Sequence, residues 1–297
     1  MTNRTILARV APLALLALTL GCEEPASGRP TVALTAAERT PDPACTGDWV
    51  AAVTVRVVDD QGRAVANARS QPCLIYGPDN AGTCLEGAVT NAQGWAVVRL
   101  AEELRCLHRA VIKVSVPGPY AASYQRLELT PTRAVLDVPG SVTLQRVAPA
   151  VRTPPLGTPT APHTVEFEQG IMVTLIPDAL DTPADYSNLG LALLRGADAP
   201  EFMHQMGEPS IVLAFGPDNE LNATGGMSRW GNIAMPAPSD AIEGTTYDAY
   251  VLAGVFTEQG TTVLEEGALH RFASPVVTDG QLSFPLPRVG WIALRRR

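Results

Sequence analysis

The stretch "AAVTVRVVDDQGRAV", Ala51 to Val65, places Val53, Val55 and Val57 on one face and Thr54 and Arg56 on the other. A period of two belongs to a half-buried strand, whose successive side chains point to opposite faces. Asp60-Gln61-Gly62 then breaks the strand with turn chemistry. The pattern recurs downstream. A second run reaches Tyr76, and Asn91 to Gly94 in "TNAQGWAVVRL" form another turn before Trp95 to Leu100. "HRAVIKVSV" sets Ala110, Ile112, Val114 and Val116 on one face. Further short strands are expected at Leu127 to Leu129, Val135 to Val138 and Val142 to Val147. Many short strands divided by turn signals predict a β-sandwich over residues 45–147.

The rest of the chain supports the same class. It has 297 residues, room for about two domains. Hydrophobic content is 46% with only 5% aromatics, so Val, Leu and Ala carry the cores. The 26 prolines and 25 glycines suit short strands and turns better than long helices. Residues 148–164 begin "APAVRTPPLGTPTAP", a run that favours extended geometry and predicts a semi-rigid linker. Beyond it, residues 165–297 read as a second sandwich. Its expected strands are Ile171 to Ile176, Leu189 to Leu194, Ile211 to Phe215, Tyr247 to Phe256, Leu282 to Leu286 and Val289 to Leu294. "NLGLALL" fits a buried strand or a helical turn by periodicity, and Gly190 with the preceding turn residues favours the strand. The predicted fold class is all-β.

The N-terminus reads as a targeting segment. Arg4 and Arg9 precede the apolar run "VAPLALLALTL", Val10 to Leu20, which has the length of a signal-peptide core rather than a membrane span. Gly21-Cys22 follows, and "LTLGC" resembles the bacterial lipoprotein signal, although Thr19 and Leu20 depart from its usual order. The resemblance implies that 1–21 is removed and that Cys22 is lipidated, palmitate included, anchoring the chain to a membrane. Glu23 in place of Asp implies the outer membrane of a bacterium with two membranes. An ordinary signal peptide with an incidental cysteine is the alternative. Losing Arg4 and Arg9 makes the formal charge of −8 two units more negative. Residues 22–44, rich in Pro, Ala and charge, are expected to be a disordered tether, with a reach of about 70 Å if fully extended.

Four cysteines remain, Cys45, Cys73, Cys84 and Cys106. An even number in an exported chain reads as two disulfides, with three connectivities. Cys73–Cys84 would close a short excursion between neighbouring strands, and Cys45–Cys106 would pin the chain's entry to a later strand; this is the preferred pairing. No CxxC pair points to zinc.

"VTVRVVDDQGRAVANAR" followed by "VTNAQGWAVVRL" resembles the transthyretin-like, carboxypeptidase-regulatory-type module. The matching positions are Val53 to Val58, Asp59 to Gly62, Ala64 to Ala68, Thr90 to Gly94 and Trp95 to Leu100. The resemblance implies an Ig-like, prealbumin-like scaffold that carries no active site of its own. In the second half, Gly170 to Leu180, Phe215 to Glu220, Gly244 to Leu252 and Gly290-Trp291 faintly resemble β-sandwich modules of large bacterial surface proteins.

Several clusters carry residue types with known chemistry. His163-Thr164-Val165-Glu166 with His270 has the residue types of a zinc carboxypeptidase site, but lacks that enzyme's α/β pattern. Met203-His204-Gln205-Met206 offers soft ligands for Cu(I), although methionines are also adaptable fillers. "YGPDN" at Tyr76 to Asn80 and "FGPDN" at Phe215 to Asn219 look like paired ion loops. Asp218, Glu220 and Asn222 would supply alternate oxygens, and Asp79 fewer; the bland reading is two strand exits with turn chemistry. Trp230 is either an exposed binding ring or core. Arg295-Arg296-Arg297 could meet anionic lipopolysaccharide or be a solvated tail. The acidic balance argues against nucleic-acid binding.

No G-x-S-x-G, P-loop or dinucleotide fingerprint is present. The expectation is a non-catalytic, lipid-anchored envelope protein displaying sandwiches for protein or glycan contacts, without catalytic residue, cofactor or resident metal. The alternatives are an exported hydrolase or metal-handling lipoprotein, and a structural envelope component.

Overall fold

The computed structural model describes residues 28–77, 79, 81–130, 134–153, 162–176, 188–216, 231–253, 258–259, 262–263 and 265–297. Two all-β sandwiches follow one another. The first contains β1 (Asp48–Trp49), β2 (Ala52–Asp59), β3 (Arg69–Tyr76), β4 (Ala81–Cys84), β5 (Ala88–Val89), β6 (Trp95–Arg99), β7 (Cys106–Ser115), β8 (Tyr120–Ala121), β9 (Ser123–Arg126), β10 (Val135–Asp137) and β11 (Val142–Arg146). One sheet runs β1-β7-β3-β4, with β5 on β3 and β9 on β7; the other runs β10-β2-β11-β8, with β6 on β2.

The alternating valines of β2 do what their period demands. Val53, Val55 and Val57 are fully buried and meet Leu74, Ala110, Ile112 and Val114 of the facing sheet. Two side-chain caps set the turns around them. The Asp59 carboxylate accepts from the backbone N–H of Gln61 and Arg63, both at 2.9 Å, and from Arg63 Nε at 2.8 Å. The Asn91 amide oxygen accepts from the N–H of Gln93 and Trp95 in the same manner. Gly94 closes that second turn at φ +79°, where a Cβ would strike the Val57 carbonyl. Between the turns, Thr90 is buried; its hydroxyl accepts from Ala68 N–H and donates to the Val65 carbonyl.

The second sandwich contains β12 (Ala148–Pro149), β13 (His163–Glu166), β14 (Met172–Leu175), β15 (Gly190–Leu194), β16 (Ile211–Gly216), β17 (Gly231–Pro236), β18 (Tyr247–Leu252), β19 (Glu258–Gln259), β20 (Thr262–Val263), β21 (Leu269–Ala273), β22 (Gln281–Leu286) and β23 (Trp291–Arg296). Its sheets run β12-β15-β16-β23-β18-β21 and β13-β14-β17-β22, with β19 and β20 paired apart. The core between them is ring-rich, with Phe167, Phe215, Tyr247 and Phe284 among Ile, Leu and Val. "NLGLALL" supplies β15, a strand.

A third apolar cluster joins the two halves. Val111, Ala121, Ala122, Tyr124 and Val147 of the first sandwich pack with Met203, Val212, Ala214, Tyr250, Leu252, Leu269, Trp291 and Ala293 of the second. Trp291 is 1% exposed, and its indole N–H donates to the Ala122 carbonyl across the junction. Strands β16, β18 and β23 are therefore covered on both faces. Their near-continuous apolar runs, "IVLAF", "YDAYVL" and "WIAL", are the pattern of doubly buried strands. Gly216 lies against the Tyr120 carbonyl, where no Cβ would fit.

Three local expectations need correction. Residues 28–44 of the expected tether lie along the first sandwich. Thr35 and Glu38 form a reciprocal capping box on a single helical turn, Ala36–Arg39. Arg99 bonds Glu38 and the Ala33 carbonyl, the Trp49 indole donates to the Glu38 carbonyl, and Arg29 pairs with Asp137. These polar contacts, invisible to an argument from apolar periodicity, hold the segment. The expected 148–164 linker is built into sheets at both ends: Ala148–Pro149 pairs with β15, and His163 opens β13. Pro149 is tolerated because β12 is an edge strand. The strand expected at Leu127 to Leu129 lies earlier, at β9. Strands β13, β17 and β21 went unpredicted because their alternation is short and interrupted by His, Asn or Arg.

Candidate functional site

A groove of about 520 Å³ lies where the sandwiches meet. One wall is the β3–β4 hairpin. Cys73 and Cys84 sit directly opposite one another in its register and form a disulfide; Cys45 and Cys106 form the second, with Cα atoms 5.5 Å apart. The hairpin's far end is tied to β7, as Gly77 N–H donates to the Cys106 carbonyl and a His108 ring nitrogen bonds the Gly77 carbonyl. This is where the first "GPDN" stretch falls. Gly77 has φ +68° and Asp79 is exposed, which is turn chemistry at a strand exit.

The floor and rim come from β7, β9 and the residue after it: Arg109, Val111, Arg126 and Leu127. Val111 and Arg126 are register partners, so both side chains leave the same face of the sheet. The opposing wall is the turn before β21 in the second sandwich. Its Glu265 carboxylate receives Arg126 at 2.5 Å and Arg109 at 3.1 Å, and Glu266 follows it along the groove. Gly267, at φ +69°, brings the turn down onto Val111. Gln205 braces the turn from behind: its amide donates to the Gly267 carbonyl at 2.7 Å and accepts from Leu269 N–H at 3.1 Å. The groove thus has a disulfide-bearing wall, an apolar floor and a rim where two guanidiniums share one carboxylate.

Most residues singled out by sequence lie elsewhere. Met203 is buried in the junction, while Met206 is 41% exposed and His204 bonds the Ala199 carbonyl. The useful member of that run is Gln205. His163 lies in β13 and His270 in β21, on different sheets, and Glu166 pairs with Arg152. Among the described residues, one trio of Cys, His, Asp or Glu side chains converges within 4.8 Å: Cys73, Cys84 and Glu266. The closing arginines are not a loose tail. Arg295 bonds the Met206 carbonyl, Arg296 bonds Asp240, and Arg297 bonds Asp248 at 2.6 Å. Cys22, Asp218, Glu220, Asn222 and Trp230 lie outside the described residues.

Asp59 and Asp248 are both biased toward ionisation. The Arg63 guanidinium, with backbone N–H groups of Arg63 and Gln61, holds Asp59 down to about 2 against the opposing effect of burial. Arg297, with Arg271 behind it, lowers Asp248 from the ordinary carboxylate range. Both fasten strand ends. Arg109, Arg126, Glu265 and Glu266 carry no local signature, because their meeting depends on how the sandwiches pack.

No protein-family model matches this chain, and no curated protein matches it. Among solved structures, it overlaps the Bacillus anthracis TIE protein at 10% identity and a TM-score of 0.21, covering 80% of this chain and 44% of that one. It overlaps the major pilin subunit of Bacillus cereus at 11% identity and a TM-score of 0.21, covering 82% and 87%. The chain thus spans less than half the length of the first. Overlaps at this level do not establish a common fold. Among the described residues, no helix is long and apolar enough to cross a membrane.

Proposed function

We propose that this chain is an exported, non-catalytic envelope lipoprotein, anchored through Cys22, that presents a two-sandwich body for contact with envelope proteins or glycans. The observation that carries the reading is the apolar junction, centred on Trp291, which unites the sandwiches and forms the groove beside Arg109, Arg126 and Glu265. A body of this kind presents one fixed surface, as a recognition module requires. Two disulfides support export to an oxidising compartment. The "LTLGC" resemblance supports the anchor, and the transthyretin-like resemblance supports a scaffold role for the first sandwich.

Two measurements test it. An alkyne-palmitate label should enter the wild type and be lost in Cys22→Ser, with the protein moving out of the membrane fraction; unchanged labelling sinks the anchor. A photo-crosslinker at Thr83, in the groove, should capture a discrete envelope partner that the same group at Val89, on the exposed β5, does not. Equal capture at both positions, or none at either, sinks the display reading.

A further inference from the structure

Cys73, Cys84 and Glu266 are separated in sequence and come from different sandwiches, yet their ligand atoms lie within 4.8 Å of one another. Register places the cysteines opposite each other on β3 and β4, and the β21 turn brings in the carboxylate. The disulfide occupies two of the three donors. Tetrahedral zinc with Zn–S bonds of about 2.3 Å spaces its ligand atoms by about 3.7 Å. The sulfurs would need to part from bonded to van der Waals separation, and the carboxylate lies within 4.8 Å of both.

We infer that this groove is a redox-gated metal site: on reduction of Cys73–Cys84, the two thiolates and the Glu266 carboxylate bind a zinc ion across the junction. A small dithiol is the reductant. It delivers two electrons and two protons to the S–S bond and leaves as its own cyclic disulfide, producing two cysteine thiols. Metal binding then releases those two protons as the thiolates coordinate. Cys84 is half-buried and lines the groove, which gives the dithiol its route in. Two thiolates and one carboxylate make a donor set suited to zinc, with the fourth position left for water.

The full chain is reduced with a dithiol, freed of it under inert gas, and titrated with Zn²⁺ alone by calorimetry. The expected result is one zinc per chain in the reduced protein and none in the oxidised one. A Cys73→Ser/Cys84→Ser variant, which retains Cys45 and Cys106, should lose that zinc, and Glu266→Gln should weaken it by about tenfold or more. Cobalt supplies a readout independent of these variants. Reduced wild type should show sulfur-to-metal charge transfer and tetrahedral ligand-field bands, and Zn²⁺ should raise its melting temperature. Reduced wild type that binds no more zinc than the double-serine variant, or that gives no cobalt–thiolate band, overturns the site. Unchanged affinity in Glu266→Gln overturns the part assigned to the second sandwich.

Discussion

The two sandwiches hold themselves together by different means. The first packs Val, Ala, Leu and Ile112 between its sheets, with the buried Trp49 lying outside that cluster, and carries both disulfides. The second packs Phe167, Phe215, Tyr247 and Phe284, with Phe167 and Phe215 edge to face at 6.1 Å, and has no cysteine. A large ring removes 150–250 Å² of apolar surface from water, several times what an alanine offers. A core of small side chains gains less per residue, and constraining the unfolded chain compensates. On the chain-entropy account, loops closed over 61 and 11 residues contribute about 4 and about 3 kcal/mol. The junction then sits between a cross-linked partner and a ring-packed one.

Removing Trp291 should have the largest effect. Trp291→Ala empties a buried site and orphans the Ala122 carbonyl, so a loss of about 4–5 kcal/mol is expected. If the junction couples the sandwiches, calorimetry should show one unfolding transition splitting into two; a single transition at lower temperature would mean that the two halves do not differ in stability. Cys45→Ala/Cys106→Ala comes next, at about 4 kcal/mol. Its loss should appear in the first sandwich, with hydrogen exchange slowed as before in β16 and β23. Faster exchange spread equally over both sandwiches would contradict the division drawn here.

Acid provides a smaller and more local test. Asp59 titrates at about 2 in the folded protein, below its ordinary value of about 4. Its stabilising contribution is therefore complete above about 4 and is lost as pH falls through about 2. Asp59→Asn should flatten the stability curve of the first sandwich over that window and leave the second unchanged. An unaltered acid limb would show that Arg63 and the turn N–H groups are not what holds the carboxylate. Smallest of all, Thr35→Ala removes the capping hydroxyl and should cost about 1 kcal/mol. The expected sign is local, with proteolysis near Ala36 accelerating while the global transition barely moves. No change in cleavage would mean that residues 28–44 are held by Arg99 and Trp49 without the cap.

Legibility varied between regions for physical reasons. Where apolar and polar residues alternate, as at Val53 to Val57 in β2 and Ala110 to Val114 in β7, the apolar set faces the core directly, even though both strands are largely buried on their second face too. The caps at Asp59 and Asn91 were readable because a turn is solved within about five residues. Strands covered on both faces gave apolar runs whose second partner was nowhere indicated. The runs at β16, β18 and β23 were the available signal for the junction. The docked segment at 28–44 carries no apolar period, because Glu38, Arg99 and Trp49 hold it through polar bonds that distant residues complete.

The sequence by itself determined the all-β class and the turn positions, and it narrowed the disulfides to three connectivities. These depend on local periodicity, on side chains bonding their own backbone, and on counting. Only the tertiary structure decided that Trp291 reaches Ala122, that Gln205 serves as a brace, and that Glu265 and Glu266 face Arg109, Arg126 and the Cys73–Cys84 bridge. Packing two apolar sheet faces removes more surface from water than either sandwich can hide alone. The groove is the space left beside that contact.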